Sequence, residues 1–472
     1  MKRLLIAGAM MTLMVVPQAQ IWAADDDFSP AQREQIRKMV QESLQGQGGA
    51  MGIPPAPGDE APMVGDTTQQ KLTFGKGGFT GGGGLQGGRS IYAKPFVKAP
   101  KATVGGYIDF IVTDCTNSAK DCDRGLTFDQ ERFIPFLYSQ VTDRISVASE
   151  IEFEHGASNS AGGSASKSGK VVLEFATMDY RVNDTLNLRA GLILIPIGRF
   201  NLTHDTPLND LPLRPIASRY ILPSTFMESG LGIYGSFYPT KLAKVDYELY
   251  LVQGFDGGTG FNSTEGTTCT SCISESKGVA SAKPSAQHDN NEDKSLTGRI
   301  AVSPFLGVEV AGSFHHGKWD SAGQHDLTLY ALDWSLQRGA WEFIGESAWI
   351  NIEGGSPSPG NTGYVDGYTP PAGMHGYFAQ VNYHFLPEAL KKMAPGHFTD
   401  ASTFTAVVRY GVADTNVHSD SNTNDIDRLT FGINYRPIED AVFKLAWTSN
   451  GERNNNTGSS NDGWQFQAST YF

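Results

Sequence analysis

The sequence predicts an all-β chain: a 16-stranded antiparallel transmembrane β-barrel, preceded by a short N-terminal helix and a Gly/Pro-rich linker. Three observations predict it. An export signal opens the chain; sixteen alternating segments follow, joined by connections that are short and long by turns; and the last segment alternates down to a terminal Phe472.

Lys2 and Arg3 precede an apolar run from Leu4 to Val16, closed by Pro17 and small residues up to Ala23. That order is a secretory signal peptide over residues 1–23. The run is too short to span a bilayer, and no later stretch is apolar over the roughly 20 residues a spanning helix needs. A helical membrane protein is excluded. What remains is a soluble exported protein or a barrel, whose strands alternate too finely to raise hydropathy. The formal charge of −13 argues against nucleic acid as a partner and suits solubility in the periplasm.

Residues 25–46 read as a separate helix. Ser29 can cap it, Pro30 suits its first turn and Gln32 can close a capping box. Ile36, Met39, Val40 and Leu44 then recur at helical spacing, a stripe that is marginal alone and better suited to an intermolecular coiled coil. Residues 47–98 form a linker in which four prolines precede the glycines of 75–88, a composition that buries no core. The glycines follow no strand and lead into no Gly-Lys-Ser, so they do not form a phosphate loop. The barrel begins near residue 99 and runs to residue 472.

Its strands are expected near 102–113, 126–139, 143–155, 169–181, 184–195, 227–238, 242–253, 294–303, 306–316, 325–337, 340–352, 373–386, 402–412, 426–436, 439–449 and 463–472. In the fourteenth, Leu429, Phe431, Ile433 and Tyr435 share one face and Arg428, Thr430, Asn434 and Arg436 the other. A soluble sandwich shows the same period, so the connections decide. Tight turns such as Arg338-Gly339 alternate with long polar loops such as 196–226 and 254–293, the layout of an outer-membrane barrel in lipid. Residues 387–401 break the rule on the short side and suggest a small helical turn. The final strand, with Trp464 and Phe466 opposite Gln465 and Gln467, resembles the signal read by the barrel-assembly machinery.

Four cysteines form two local pairs, Cys115/Cys122 and Cys269/Cys272, each in a polar stretch, and are disulfide candidates in an oxidising compartment. No second CxxC or nearby His turns the later pair into a metal motif, and no cofactor is expected.

Sixteen strands leave an aqueous lumen. The candidate constriction is the third long loop, 196–226, which carries Arg199, His204, Asp205, Asp210, Arg214 and Arg219 among stiffening prolines. Strand parity points Glu150, Glu152, Glu174, Asp246, Glu248, Glu309, Asp333, Glu342 and Glu346 inward. It gathers Arg409, Arg428, Arg436 and Lys444 on one basic wall, joined by Arg189 and Arg299. A one-residue slip would turn these charges into lipid, which fixes the register. Opposed walls would set a field across the pore.

The stretch Asn187-Leu-Arg-Ala-Gly-Leu-Ile-Leu-Ile-Pro-Ile-Gly-Arg-Phe200, with His204-Asp205 and Ser229-Gly-Leu-Gly-Ile-Tyr-Gly235, resembles the phosphate-selective porin O and P superfamily. The resemblance implies a homotrimer of 16-stranded barrels, each with its third loop folded into the pore, and passive diffusion of small hydrophilic solutes or ions with an anion preference. It also implies an arginine ladder and lysine cluster for phosphate; this chain has few loop lysines and many inward acids. Related trimeric porins carry a leading coiled-coil helix, similar in kind to residues 28–45. A barrel enzyme and a conduit barrel sheathing a partner protein stay open as alternatives. The first needs a partnered Ser/His/Asp set that the sequence does not display, and the second needs a lumen free of an inward loop.

Overall fold

The structure, a computed structural model, describes residues 102–472 apart from stretches 117–124, 158–168, 258–272, 276, 285–288, 290, 357–359, 366–367, 420–424 and 453–461. Two short paired strands, Phe74–Gly75 and Gly78–Phe79, are also described. The signal peptide (1–23), the helix (25–46), all but that hairpin of the linker, and Cys122, Cys269 and Cys272 lie outside the described residues.

Sixteen strands form one closed antiparallel barrel. In chain order they are β1 Ala102–Cys115, β2 Gly125–Gln140, β3 Ile145–Glu154, β4 Lys170–Asn183, β5 Leu186–Leu194, β6 Met227–Phe237, β7 Lys244–Val252 and β8 Ser295–Ser303. They continue as β9 Val308–Lys318, β10 Asp326–Arg338, β11 Trp341–Ile352, β12 Gly373–Phe385, β13 Thr403–Asp414, β14 Asp425–Ile438, β15 Ala441–Glu452 and β16 Gly463–Tyr471. Every expected strand is present, with ends shifted by a few residues. β16 closes the barrel on β1, with Tyr471 opposite Tyr107 and Gly463 opposite Cys115. The Phe472 amide extends this seam by donating to the Gly106 carbonyl at 2.9 Å, and its ring stacks on Phe133.

Alternation explains why these segments are strands of a barrel in lipid. Each strand exposes a large apolar side chain on the outer face, among them Phe110, Val147, Leu231, Ile300, Val408 and Leu445. The intervening residues turn inward and are buried polar groups such as Asp109, Glu152, Asp333, Thr430 and Gln467. An outward apolar band over a polar interior is the pattern of outer-membrane barrels. No described helix is long and apolar enough to cross a membrane.

The turns follow the expected two-sided layout. β10 and β11 are joined by Gly339 and Ala340 alone, with Gly339 at φ 59, a conformation glycine adopts without strain. Aromatic rings gather at this short-turn end, where Trp341 lies 4.7 Å from Tyr383 and Phe404 4.7 Å from Tyr435 (centroid distances). The irregular connection on this side contains a short helix, Glu388–Met393. A two-stranded hairpin, Gly360–Val365 with Tyr368–Thr369, decorates the long loop between β11 and β12.

The long loop between β5 and β6, residues 195–226, turns into the barrel and carries two single-turn helices, α1 Arg199–Leu202 and α2 Ala217–Tyr220. Toward the long-loop end the inward positions of β10–β12 become apolar. Leu327, Leu329, Ile350, Ile352 and Met374 pack there with Ile195, Ile197, Ile221, Leu222 and Phe226 of the loop, and with Ile273 and Val279 of the next one. A hydrophobic core therefore lies inside the barrel, and it seats the loop.

Candidate functional site

The inward loop is anchored first by its own ends. Asn201 donates to the carbonyls of Ile195 (2.8 Å) and Phe226 (3.1 Å) and accepts from the Phe226 amide (2.8 Å), buckling entry to exit. Next come bonds to the wall. The amides of Gly198 and Phe200 donate to Ser313 (3.0 Å) and Glu346 (2.8 Å) on β9 and β11. Gly198 has φ 68, and a Cβ there would fall 2.7 Å from a Glu346 carboxylate oxygen, so only glycine lets the loop approach this closely.

The loop then crosses to the far wall, where basic side chains receive its carbonyls. Lys444 donates to Thr206 (2.7 Å), Arg436 to Pro207 (2.8 Å) and Arg409 to Leu213. Asp210 is held by Asn382 (2.7 Å) and Gln380 (3.3 Å), with Arg436 at 3.6 Å. This changes the sequence expectation of a basic wall facing open water. Arg409, Arg428 and Lys444 do face inward, but all three are buried: loop carbonyls cover Arg409 and Lys444, while Arg428 donates to Asn450 (2.7 Å). Arg189 is similarly engaged, donating twice to Asp179 at 2.8 Å and lying over the Tyr234 ring. A charge so neutralised works as scaffold more than as a free ion contact.

The predicted acids divide in the same way. Glu309 lies 3.5 Å from both Arg199 and Arg299, and Asp333 accepts from Arg299 at 2.6 Å. Glu248 accepts from Tyr250 (2.7 Å), and Glu342 from Asn382 (2.7 Å) with His384 at 3.3 Å. Glu152 pairs with Arg132 at 3.0 Å. Arg132 is a hub the sequence reading missed: its guanidinium also meets Asp109 (3.2 Å) and Glu131 (2.9 Å). A lone arginine in the strand gave no signal, because its partners lie on three strands. The buried pair Glu228–His315 (2.8 Å) was missed for the same reason.

On the loop, Thr206 donates to Asp109 (2.6 Å), Tyr471 donates to Asp205 (2.9 Å), and His204 lies 3.3 Å from Glu174. Burial pushes the Asp205 carboxyl above its ordinary value. Burial also disfavours charge on His204, yet the Glu174 carboxylate holds the imidazole above its usual range. Cys115 is disulfide-bonded.

Between the loop and the β1–β4 wall lies an open cavity of about 420 Å³. The wall lines it with Thr113, Asp129, Glu131, Arg132, Glu154 and Lys170, and the loop with His204, Asn209, Arg214 and Arg219. Most of these wall residues lie toward the long-loop ends of their strands. Lys170 bonds Glu154 at 2.7 Å and keeps 62% of its side chain exposed. Of the predicted site residues, only His204, Arg214 and Arg219 line this space.

No family model matches the chain. It is 27% identical over 333 residues to an uncharacterized protein of Aquifex aeolicus, covering 67% of this chain and 69% of that one. Among solved structures it is similar to OmpF of Salmonella typhi in complex with daunomycin (10% identity, TM-score 0.49, 80% of this chain and 99% of that chain). It is also similar to the outer membrane channel DcaP of Acinetobacter baumannii (11%, 0.48, 79% and 97%) and to an anion-selective porin from Comamonas acidovorans (11%, 0.47, 79% and 99%). Likenesses at this level add no weight to the fold, which stands on the strand pairing itself. The chain forms a 16-stranded porin-like β-barrel of the outer-membrane type.

Proposed function

We propose that this chain is an outer-membrane porin through which small hydrophilic solutes and ions diffuse passively, with the 195–226 loop as its constriction. The observation that carries the proposal is the polar cavity left between that loop and the β1–β4 wall. Basic Arg132, Lys170, Arg214 and Arg219 line it beside acidic Asp129, Glu131 and Glu154, which supports a mild anion preference at most. Phosphate selectivity is not part of the proposal, since the expected basic wall serves to hold the loop. Kinship with the phosphate-selective porin O and P superfamily belongs to it only as a common barrel-and-loop plan. The remaining parts are a signal peptide at residues 1–23, a coiled-coil helix at 25–46 supporting a homotrimer, and delivery by the barrel-assembly machinery.

A conduit barrel is disfavoured because the inward loop occupies the lumen a sheathed protein would need. An enzyme lacks support as well, since no serine is paired with His204 or His315 among the described hydrogen bonds. The test is single-channel recording of the purified full chain in a planar bilayer, with the reversal potential read in a salt gradient. Stepwise conductance with a reversal potential near zero or slightly toward anions is expected; a bilayer that stays closed overturns the proposal.

A further inference from the structure

Three potential ligands converge behind the cavity. Glu150 on β3, Glu174 on β4 and His204 on the inward loop each place one donor atom within 4.8 Å of the others, and all three residues are buried. The strand register builds the two-carboxylate part. Glu150 pairs with Phe175 while Ile151 pairs with Leu173, so Glu174 is the extra residue of a β-bulge that re-aims it inward beside Glu150.

The histidine is pre-set. Its Nδ1 lies 2.8 Å from the Asn201 carbonyl, which can only accept, so Nδ1 carries a proton and Nε2 is the atom turned to the Glu174 carboxylate, where a cation would take the place of a second proton. This is the arrangement in which an outer partner fixes the tautomer of a metal-ligating imidazole. Thr225 supports Glu174 by donating to its other oxygen at 2.9 Å. An independent observation points to a missing ligand: Glu150, 3% exposed, leaves Oε1 buried without any hydrogen-bond partner. Glu152 and Asp205 add negative potential at Glu150, against which Arg214 acts at Glu174. Imidazole plus two carboxylates is a donor set for a borderline divalent ion, zinc above the harder magnesium or calcium.

We propose that Glu150, Glu174 and His204 form a divalent-cation site that clamps the inward loop to the β3–β4 wall. A cation there joins two neighbouring strands to the inward loop and immobilises the loop where it borders the cavity. The inference is independent of whether the barrel conducts.

The test uses the full chain in detergent, stripped with chelator, dialysed against Zn²⁺ and freed of excess metal. Elemental analysis is expected to find one zinc per chain. Zinc-edge absorption should show an imidazole nitrogen and carboxylate oxygens at about 2.0–2.2 Å. Glu150→Gln, which keeps shape and removes the charge, should lower zinc affinity at least tenfold, with folding checked by heat-modifiable gel migration. A wild-type chain that takes up no zinc overturns the proposal, as does a spectrum without imidazole. Equal uptake by the folded Glu150→Gln variant does so too. Should the variant not fold, the wild-type stoichiometry and spectrum still decide.

Discussion

The ammonium of Lys444 on β15 donates to the backbone carbonyl of Thr206 at 2.7 Å and to Gln467 on β16 at 3.0 Å, tying the tip of the inward loop to the wall opposite its origin. Lys444 is 1% exposed, so this charge is spent on the loop and not on passing ions. Replacing it by Met leaves the Gln467 side-chain oxygen unpaired, at a cost of about 1–3 kcal/mol, and leaves the Thr206 carbonyl with the Asn209 amide alone at 3.2 Å. Lys444→Met should therefore loosen the loop tip. In bilayer recordings the open-state current noise should rise and the mean conductance should not fall. Unchanged noise would show that the remaining anchors, Arg409 and Arg436, hold the loop without it.

Gly198 supplies a second test of how the loop is seated. Alanine there adds the strain of φ 68, about 1–3 kcal/mol, and sets a Cβ against the Glu346 carboxylate that receives the Phe200 amide. Gly339→Ala is the matched control, since φ is 59 but a Cβ meets nothing within 4 Å. The unfolding temperature on heat-modifiability gels should fall further for Gly198→Ala than for Gly339→Ala. Equal shifts would mean that backbone strain alone, without the Glu346 contact, sets the cost.

These anchors mark where the sequence stopped being readable. Strand positions and facing followed from period-two alternation, because lipid outside and water inside penalise any slip, so Glu346 and Arg409 could be assigned inward from parity alone. What lies across the lumen from each of them is a matter of tertiary placement. Nothing local to Arg409 indicates that its partner is the Leu213 carbonyl, and nothing local to Arg132 announces that Asp109 and Glu152 of the flanking strands join its neighbour Glu131. The bulge at Glu174 is equally silent, since one extra residue in a strand leaves the hydrophobic pattern almost intact. The basic wall was therefore legible as inward-facing and illegible as covered.

A pH dependence follows from Lys283, in the long loop between β7 and β8. Its Nζ donates to the Thr225 carbonyl at 2.9 Å, and burial together with nearby Arg214 pushes the ammonium down to about 8. Raising the pH from 7 to 9 therefore removes a positive charge close to the inward loop, whereas an ordinary lysine would keep its own. The reversal potential should shift toward cations over that interval. Lys283→Met, uncharged throughout, should abolish most of the shift. A shift of the same size in the variant would assign it to another group.

Selectivity itself is best tested at Lys170, the cavity cation with the most exposed side chain among those paired with a carboxylate. Lys170→Glu replaces a positive charge with a negative one beside Glu154, in a space that also holds Asp129 and Glu131. One unit charge at about 4 Å in water is worth about 1 kcal/mol, so the two-unit reversal changes the partition of a cation by up to roughly thirtyfold. The cation-to-anion permeability ratio should rise by that factor or more at low salt, because anions lose what cations gain, and by less at 1 M, where the screening length is about 3 Å. Lys391→Glu is the control: this lysine lies on the Glu388–Met393 helix at the short-turn side, paired with Asp400 and away from the cavity. If both variants alter the ratio equally, the cavity beside the inward loop is not the narrow part of the path, and the constriction lies elsewhere in the barrel.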